Sequence, residues 1–316
     1  MEVALVVATH NRRGVKETGR MKAFGYVAAK DVGHALALLG EHGARAKVLA
    51  GGTDLLVELK STAHNPEIIV DISRVDELKD ITIIDEGLRI GALVTHAEIM
   101  RSPIIRSMFP ALAEAAHSIG AVQTRNLGTL GGNLMTCVPS MDSGPTLMAL
   151  DARVTYASRR GRSQLPLADL FVAPRKTSLA SDELLTAIII PKANFGKPSA
   201  FQKFGLRKGQ ALALVNAAAA FWVDQDKKRF VQPRIALGAV APTVIRALRA
   251  EEFLEGKTIT NETMAEAAHI AATEAKPISD FRASADYRRD LIQVLTKRAL
   301  ESAYARASNK VMECVP

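Results

Sequence analysis

Thiol chemistry is almost missing from this chain: 316 residues carry two cysteines, Cys137 and Cys314. Two thiols fall short of the four ligands that an iron–sulfur cluster or a four-cysteine zinc site takes. They also fall short of a secreted disulfide scaffold and fit a reducing cytoplasm. Aromatics are only 5% of the residues and do not interleave with basic ones, so a stacking platform for nucleic acid is not expected. The net charge of +8 comes from dispersed Lys and Arg and reads as solvated surface. No run of about 18 apolar residues occurs, which argues against a membrane span. The longest candidate, residues 211–223, is short and holds Asn216. Residues 1–9 have no basic residue ahead of their apolar part and make a poor signal peptide.

Familiar catalytic signatures are absent too. There is no G-x-G-x-x-G after a strand, no G-x-x-x-x-G-K-[ST], no G-x-S-x-G and no H-E-x-x-H. His117 reads as a packed or partly exposed helix residue, not a ligand. Chemistry in this chain must therefore use a bound organic cofactor, ordinary side chains or another subunit.

What is present is a well-patterned α+β chain in two parts. Residues 1–20 show no period and read as an extension or an early start, with Met21 opening the patterned segment. Asp31 caps a helix over residues 31–40, and strands follow at 47–50, 68–72, 81–84 and 88–93. Thr95 and Glu98 have capping-box spacing, and Pro110 opens a helix over 111–119. A glycine-rich loop then leads to a helix at 145–150 and strands at 153–157 and 184–190. Residues 194–198 form a Gly/Pro connector. Beyond it, strands at 212–223 and 234–240 flank a charged turn, and helices follow at 246–254, 262–275 and 284–307. The last helix places Tyr287, Leu291, Val294, Leu295 and Ala299 on one apolar face, with Arg288, Arg289, Lys297 and Arg298 on a wet side.

Two glycine pairs sit where a strand or helix meets a loop. The first lies in Val48-Leu49-Ala50-Gly51-Gly52-Thr53-Asp54-Leu55, the second in Gly128-Thr129-Leu130-Gly131-Gly132-Asn133. Without Cβ atoms such turns can aim successive N–H groups into one concavity and let a phosphate approach the main chain. Each pair alone is as well explained by a tight turn. Two of them, each beside hydroxyl side chains, fit a pyrophosphate held between two loops.

Ala50–Leu56 and the run from Arg125 to Leu134 resemble the paired flavin motifs of the molybdenum hydroxylase family. That family includes the FAD-binding medium subunit of carbon monoxide dehydrogenase and the flavin domain of xanthine dehydrogenase. The resemblance continues through Pro139-Ser140-Met141-Asp142, Pro174-Arg175-Lys176-Thr177, Asp182-Glu183-Leu184-Leu185 and the run from Arg282 to Arg289, covering residues 21–307. It implies a two-subdomain FAD-binding domain of the molybdopterin dehydrogenase (PCMH) type at 21–195. A small sheet-plus-helices domain of the carbon monoxide dehydrogenase flavoprotein type follows at 198–307, then a tail at 308–316.

The resemblance also implies a site. Val48–Leu55 would hold the FAD pyrophosphate through backbone amides, and Thr129, Leu130, Gly131, Gly132 and Asn133 would grip its other side and the ribityl chain. Asp142 would bond the adenosine part; Leu185 and Lys203 would line the flavin, with Lys176 near it. Ile119 stands where xanthine dehydrogenases put an aromatic, which favours the separate-subunit branch, and Gly120 would pass close to the ring. Residues 203–214 resemble a loop that faces the flavin. An uninterrupted stretch from Asn133 to Pro145 and a lone Cys137 leave no place for the extra 4Fe–4S cluster of the 4-hydroxybenzoyl-CoA reductase branch. No side chain is expected to act as nucleophile or base, because the flavin carries the redox chemistry.

The implied role is an electron-transfer subunit. A molybdenum cofactor and two 2Fe–2S clusters would belong to a large and a small partner subunit, assembled as a dimer of heterotrimers in the cytoplasm. A self-contained FAD-dependent oxidase, or an interaction module that has lost FAD, are the alternatives.

Overall fold

The computed structural model describes residues 4–6, 23–61 and 65–313. Strands β1 (Ala4–Val6), β2 (Phe24–Ala28), β3 (Ala46–Leu49) and β4 (Ile68–Asp71) form a sheet in the order β1-β2-β4-β3. β2 and β3 both run parallel to β4, so each needs a crossover helix. Helix α1 (Val32–His42) joins β2 to β3, and α2 (Leu55–Lys60) follows β3 on the way to β4. Asp31 caps α1 by accepting from the His34 amide at 2.7 Å. All four residues of the central β4 are buried, as its Ile-Ile-Val run requires. The expected extension at residues 1–20 lies outside the described residues except for Ala4–Val6, which pair antiparallel with β2.

A second, antiparallel sheet begins with β5 (Ile81–Ile84) and β6 (Gly87–Gly91). Six helices intervene: α3 (His96–Arg101), α4 (Pro103–Met108), α5 (Pro110–Ser118), α6 (Val122–Leu127), α7 (Leu130–Thr136) and α8 (Ser143–Ala149). Then come β7 (Arg153–Ser158), β8 (Gly161–Pro166), the single-turn α9 (Leu167–Leu170), the hairpin β9 (Phe171–Ala173) and β10 (Lys176–Thr177), and β11 (Leu184–Pro191). The order is β5-β6-β11-β7-β8, which puts the apolar β11 at the centre. The capping box at Thr95 is formed, with the Glu98 carboxylate accepting from the Thr95 amide at 2.7 Å.

The glycine-rich stretch expected as a loop after residue 119 folds instead as α6 and α7. No residue of α6 is buried, so no apolar period marks it. Thr129 starts α7 by accepting from the Gly132 amide, which places Gly131 and Gly132 in a helical turn.

The third sheet holds β12 (Ser199–Phe204), β13 (Val215–Asp224), β14 (Arg229–Gly238) and β15 (Ile245–Arg246), followed by α10 (Leu248–Leu254), α11 (Asn261–Glu274) and α12 (Ala285–Glu313). β14 begins earlier than its sequence suggests, because it takes in Pro233 beside an irregular register and a Gln232 with φ of 49°. Ala218 and Ala220 of β13, with Phe201 and Ala236, join the core built from Leu88, Ile90, Leu112 and Ile188. The alternate residues Val215, Ala217, Ala219 and Phe221 join a second core with α10, α11 and α12. This small-residue sheet is therefore shared between two cores.

On α12 the buried face is Ile292, Leu295, Ala299, Leu300 and Ala303, whereas Val294 and Tyr287 are exposed. A helical step carries residue 294 about 100° away from residue 295, off the seam. Arg288 is likewise not on the wet side; it is buried and donates to the Leu214 carbonyl and to Asp280. The helix also runs on to Glu313 through most of the stretch expected as a tail.

Between the second and third sheets, the connector buries Lys197 at 1% exposure, and its ammonium has no hydrogen-bond partner among the described residues. Burial pushes its pKa down to about 8, with Arg234 adding to the effect and Asp151 opposing it. Among the described residues no helix is long and apolar enough to cross a membrane.

Candidate functional site

β3 ends at Leu49, and the chain turns through residues 50–54 into α2. Gly52 holds φ of 72°, a left-handed conformation that favours glycine. Gly51 is required for a different reason. A Cβ there would lie 1.8 Å from the Leu127 carbonyl oxygen, and Gly128 Cα is 3.1 Å away. The two glycine segments, distant in sequence, are thus in backbone contact.

Their hydrogen bonding differs. The amides of Gly51, Gly52, Thr53 and Asp54 donate to no partner among the described residues. Four successive free N–H groups on a turn form the kind of concavity that receives an anion. In the second segment the Thr129 amide is likewise without a partner among the described residues, but those of residues 130–133 are already spent. Leu130 donates to the Val94 carbonyl and Gly131 to that of Ala92, both at 2.9 Å; Gly132 donates to Thr129 Oγ1 and Asn133 to the Thr129 carbonyl, both at 3.0 Å. Gly131 serves close packing instead, since a Cβ there would lie 2.7 Å from Ala92.

A cleft of about 540 Å³ opens over this junction, between α2, the α3–α7 helices and the β10–β11 segment. Its volume is within the range of small-molecule and cofactor sites. The charged groups on its wall are Lys47 and Arg175 against Asp54, Glu58 and Glu183. Arg175, at the tip of the β9–β10 hairpin, is paired with Glu58 across the cleft. Burial pushes the Asp54 carboxyl pKa up, and Glu58 adds to the shift. With no surplus of side-chain cations, an anion in this cleft depends on main-chain donors.

The wall includes the predicted Val48, Ala50, Gly51, Gly52, Thr53, Asp54, Leu55, Ile119, Thr129, Gly131, Gly132, Asn133 and Leu185. Leu49, Gly120, Leu130, Asp142, Lys176 and Lys203 are not on it. Leu130, the first residue of α7, is fully buried, and Lys176 is exposed on β10. Asp142 and Lys203 are ion-paired one layer behind the wall. Asn216 donates to Asp142 at 2.8 Å, and the Lys203 ammonium donates to the Ser118 carbonyl at 3.0 Å. That carbonyl precedes Ile119 and the Gly120 turn (φ of 52°), so the pair anchors a segment of the wall. Burial pushes the Asp142 carboxyl up, against the pull of Lys203.

His96, the first residue of α3, was not singled out in the sequence and lies on the wall at 2% exposure. Its placement follows from the capping box, which fixes where α3 starts. Cys137 is buried, and its thiol donates weakly to the Ala173 carbonyl at 3.4 Å. Among the described residues no group of three or more His, Cys, Asp or Glu is placed to hold a metal ion.

Comparison with known proteins gives a consistent picture. The pattern of the FAD binding domain in molybdopterin dehydrogenase matches residues 22–193, and that of the CO dehydrogenase flavoprotein C-terminal domain matches residues 199–303. The chain is 36% identical to the 6-hydroxypseudooxynicotine dehydrogenase complex subunit alpha of Paenarthrobacter nicotinovorans, over 90% of this chain and 96% of that one. It is 34% identical to the carbon monoxide dehydrogenase medium chain of Hydrogenophaga pseudoflava, over 90% and 98%. A chain of the solved carbon monoxide dehydrogenase from Hydrogenophaga pseudoflava superposes with a TM-score of 0.85, at 35% identity over 90% of this chain and 98% of that one. One from quinoline 2-oxidoreductase of Pseudomonas putida 86 does so with a TM-score of 0.85, at 31% identity over 91% and 99%.

Proposed function

The chain belongs to the FAD-binding subunits of the molybdenum hydroxylase family, and from that premise we propose how its cleft serves FAD and what it joins. The cleft holds the cofactor, and the observation that carries this reading is the row of four free amides at Gly51, Gly52, Thr53 and Asp54. Among the described residues nothing uses them, and they open onto a cofactor-sized space. The donor set fits a diphosphate: main-chain N–H groups and the Thr53 hydroxyl, with few competing cations.

Each group on the wall then has a task. The first glycine turn holds the diphosphate. Thr129 and Asn133 face the adjoining stretch, Thr129 with an amide that has no partner among the described residues and Asn133 through its side chain, its own amide being spent. Ile119 and Leu185 supply apolar surface to the ring system. Asp142 and Lys203 act from behind, fixing the Ser118–Gly120 turn against which the ring would rest. Bound FAD would accept and release electrons, while the protein supplies binding, orientation and exclusion of water.

In this reading electrons come from 2Fe–2S clusters in a small subunit, which are fed by a molybdenum cofactor in a large one, and leave to an external acceptor. The assembly is a dimer of heterotrimers working in the cytoplasm. The self-contained oxidase and the non-redox module are not favoured. Purification with excess flavin tests the core of the proposal. A yellow protein with one FAD per chain, reduced only when the small subunit is added, is the expected result. A colourless protein that takes up no added FAD overturns it.

A further inference from the structure

His96 is a buried polar side chain with no hydrogen-bond partner among the described residues. It is 2% exposed and lines the cleft. Nδ1 is sealed from solvent, and a buried ring nitrogen left unmet is costly, so an orphan of this kind calls for a partner. Its position says what that partner is. The His96 amide donates to the Gly128 carbonyl at 3.0 Å, which pins the residue to the second glycine segment. From the ideal Cβ position at Gly128, His96 Cδ2 is 3.4 Å away and Thr53 Oγ1 is 3.5 Å away. The imidazole and the hydroxyl of the first glycine turn therefore converge on one point, where the two segments meet.

We propose that the His96 imidazole is a cofactor-positioning group, its N–H donating to an oxygen of the diphosphate–ribityl stretch of FAD. Burial, with Arg125 adding to it, pushes the His96 pKa down to about 4, so the ring is a neutral donor over the working pH range. A neutral donor can recognise an oxygen here without adding a buried charge to the empty protein. The inference rests on the cleft being the FAD site.

Titration of apoprotein with FAD, followed by flavin fluorescence, tests it on His96→Phe, which keeps a ring of similar size and removes both nitrogens. The expected weakening is about tenfold, the worth of one hydrogen bond to a charged group. The apoprotein melting temperature should stay level or rise, because the substitution removes an unsatisfied polar group. Unchanged FAD affinity overturns the inference. So does an apoprotein melting temperature that falls along with affinity, since that is the mark of a purely structural role. Should His96→Phe not fold, the ¹⁵N resonances of the His96 ring in the wild-type protein decide: they should shift when FAD is added, and unmoved resonances overturn the inference. Failure of the wild-type protein itself to bind FAD would instead sink the reading of the cleft.

Discussion

The two glycine segments look alike as sequence and behave as opposites. At the first, Gly51 and Gly52 let the chain approach Leu127 and adopt a left-handed turn, and the amides of residues 51–54 have no partner among the described residues. At the second, Gly131 and Gly132 lie inside α7, and every amide from Leu130 to Asn133 has a partner. Among the described residues the first segment leaves four successive donors open; the second leaves only the Thr129 amide open and otherwise acts as the surface on which the first is built. Paired glycines thus signal close approach, and only the hydrogen-bond inventory says whether a ligand or the protein itself is what approaches.

The largest test of this contrast is Gly51→Ala. Its Cβ would overlap the Leu127 carbonyl, and the neighbouring atoms are backbone that cannot swing away. A loss of about 3 kcal/mol in denaturant unfolding is expected, together with loss of bound FAD. Gly131→Ala should cost about 1–3 kcal/mol through its contact with Ala92, while each folded molecule keeps most of its FAD affinity. Equal loss of affinity in the two variants breaks the comparison. Thr129→Val removes the cap that accepts from Gly132 and should cost about 1 kcal/mol of stability.

The smallest effect concerns the carboxylate beside the free amides. The Asp54 pKa is raised in the folded protein, so the folded state holds that proton more tightly than the unfolded chain. Its contribution to stability is greatest at low pH and falls as pH rises from 3.8 through the raised value. Asp54→Asn should flatten that part of the wild-type stability profile and strengthen FAD binding about twofold, a small gain because the residue, though its carboxyl is partly desolvated by the cleft, is still open to water. A difference profile between the two proteins that is flat from pH 3 to 6 would contradict the shift.

Much of this was legible in the residues because local chemistry set it. The Asp31 cap, the Thr95–Glu98 box and the branched-residue strands are short-range features, and each appears where the sequence places it. The two glycine segments, far apart in sequence, meet in the fold and line one cleft. What could not be read was anything decided by packing at a distance. Val294 belongs to the apolar pattern of α12 by composition but not by angle, and Arg288 is buried by bonds to Leu214 and Asp280. Lys203 and Asp142 meet only when the third sheet docks. His96 carried no signal beyond its place in a capping box; its lack of partners exists only in three dimensions.

The sheet of β12–β15 has a mechanical consequence. Its alanine-rich strands leave no face for water, because one side belongs to the core around Leu112 and Ile188 and the other to the core beneath α12. Severing the chain at the connector near residues 194–198 would strip apolar surface from both fragments at once. Two sequence blocks should therefore melt as one, in a single calorimetric transition. A protease that nicks an exposed loop should release no stable half-molecule, so loss of the carboxyl-terminal block would be felt at the glycine-lined cleft as loss of the whole fold.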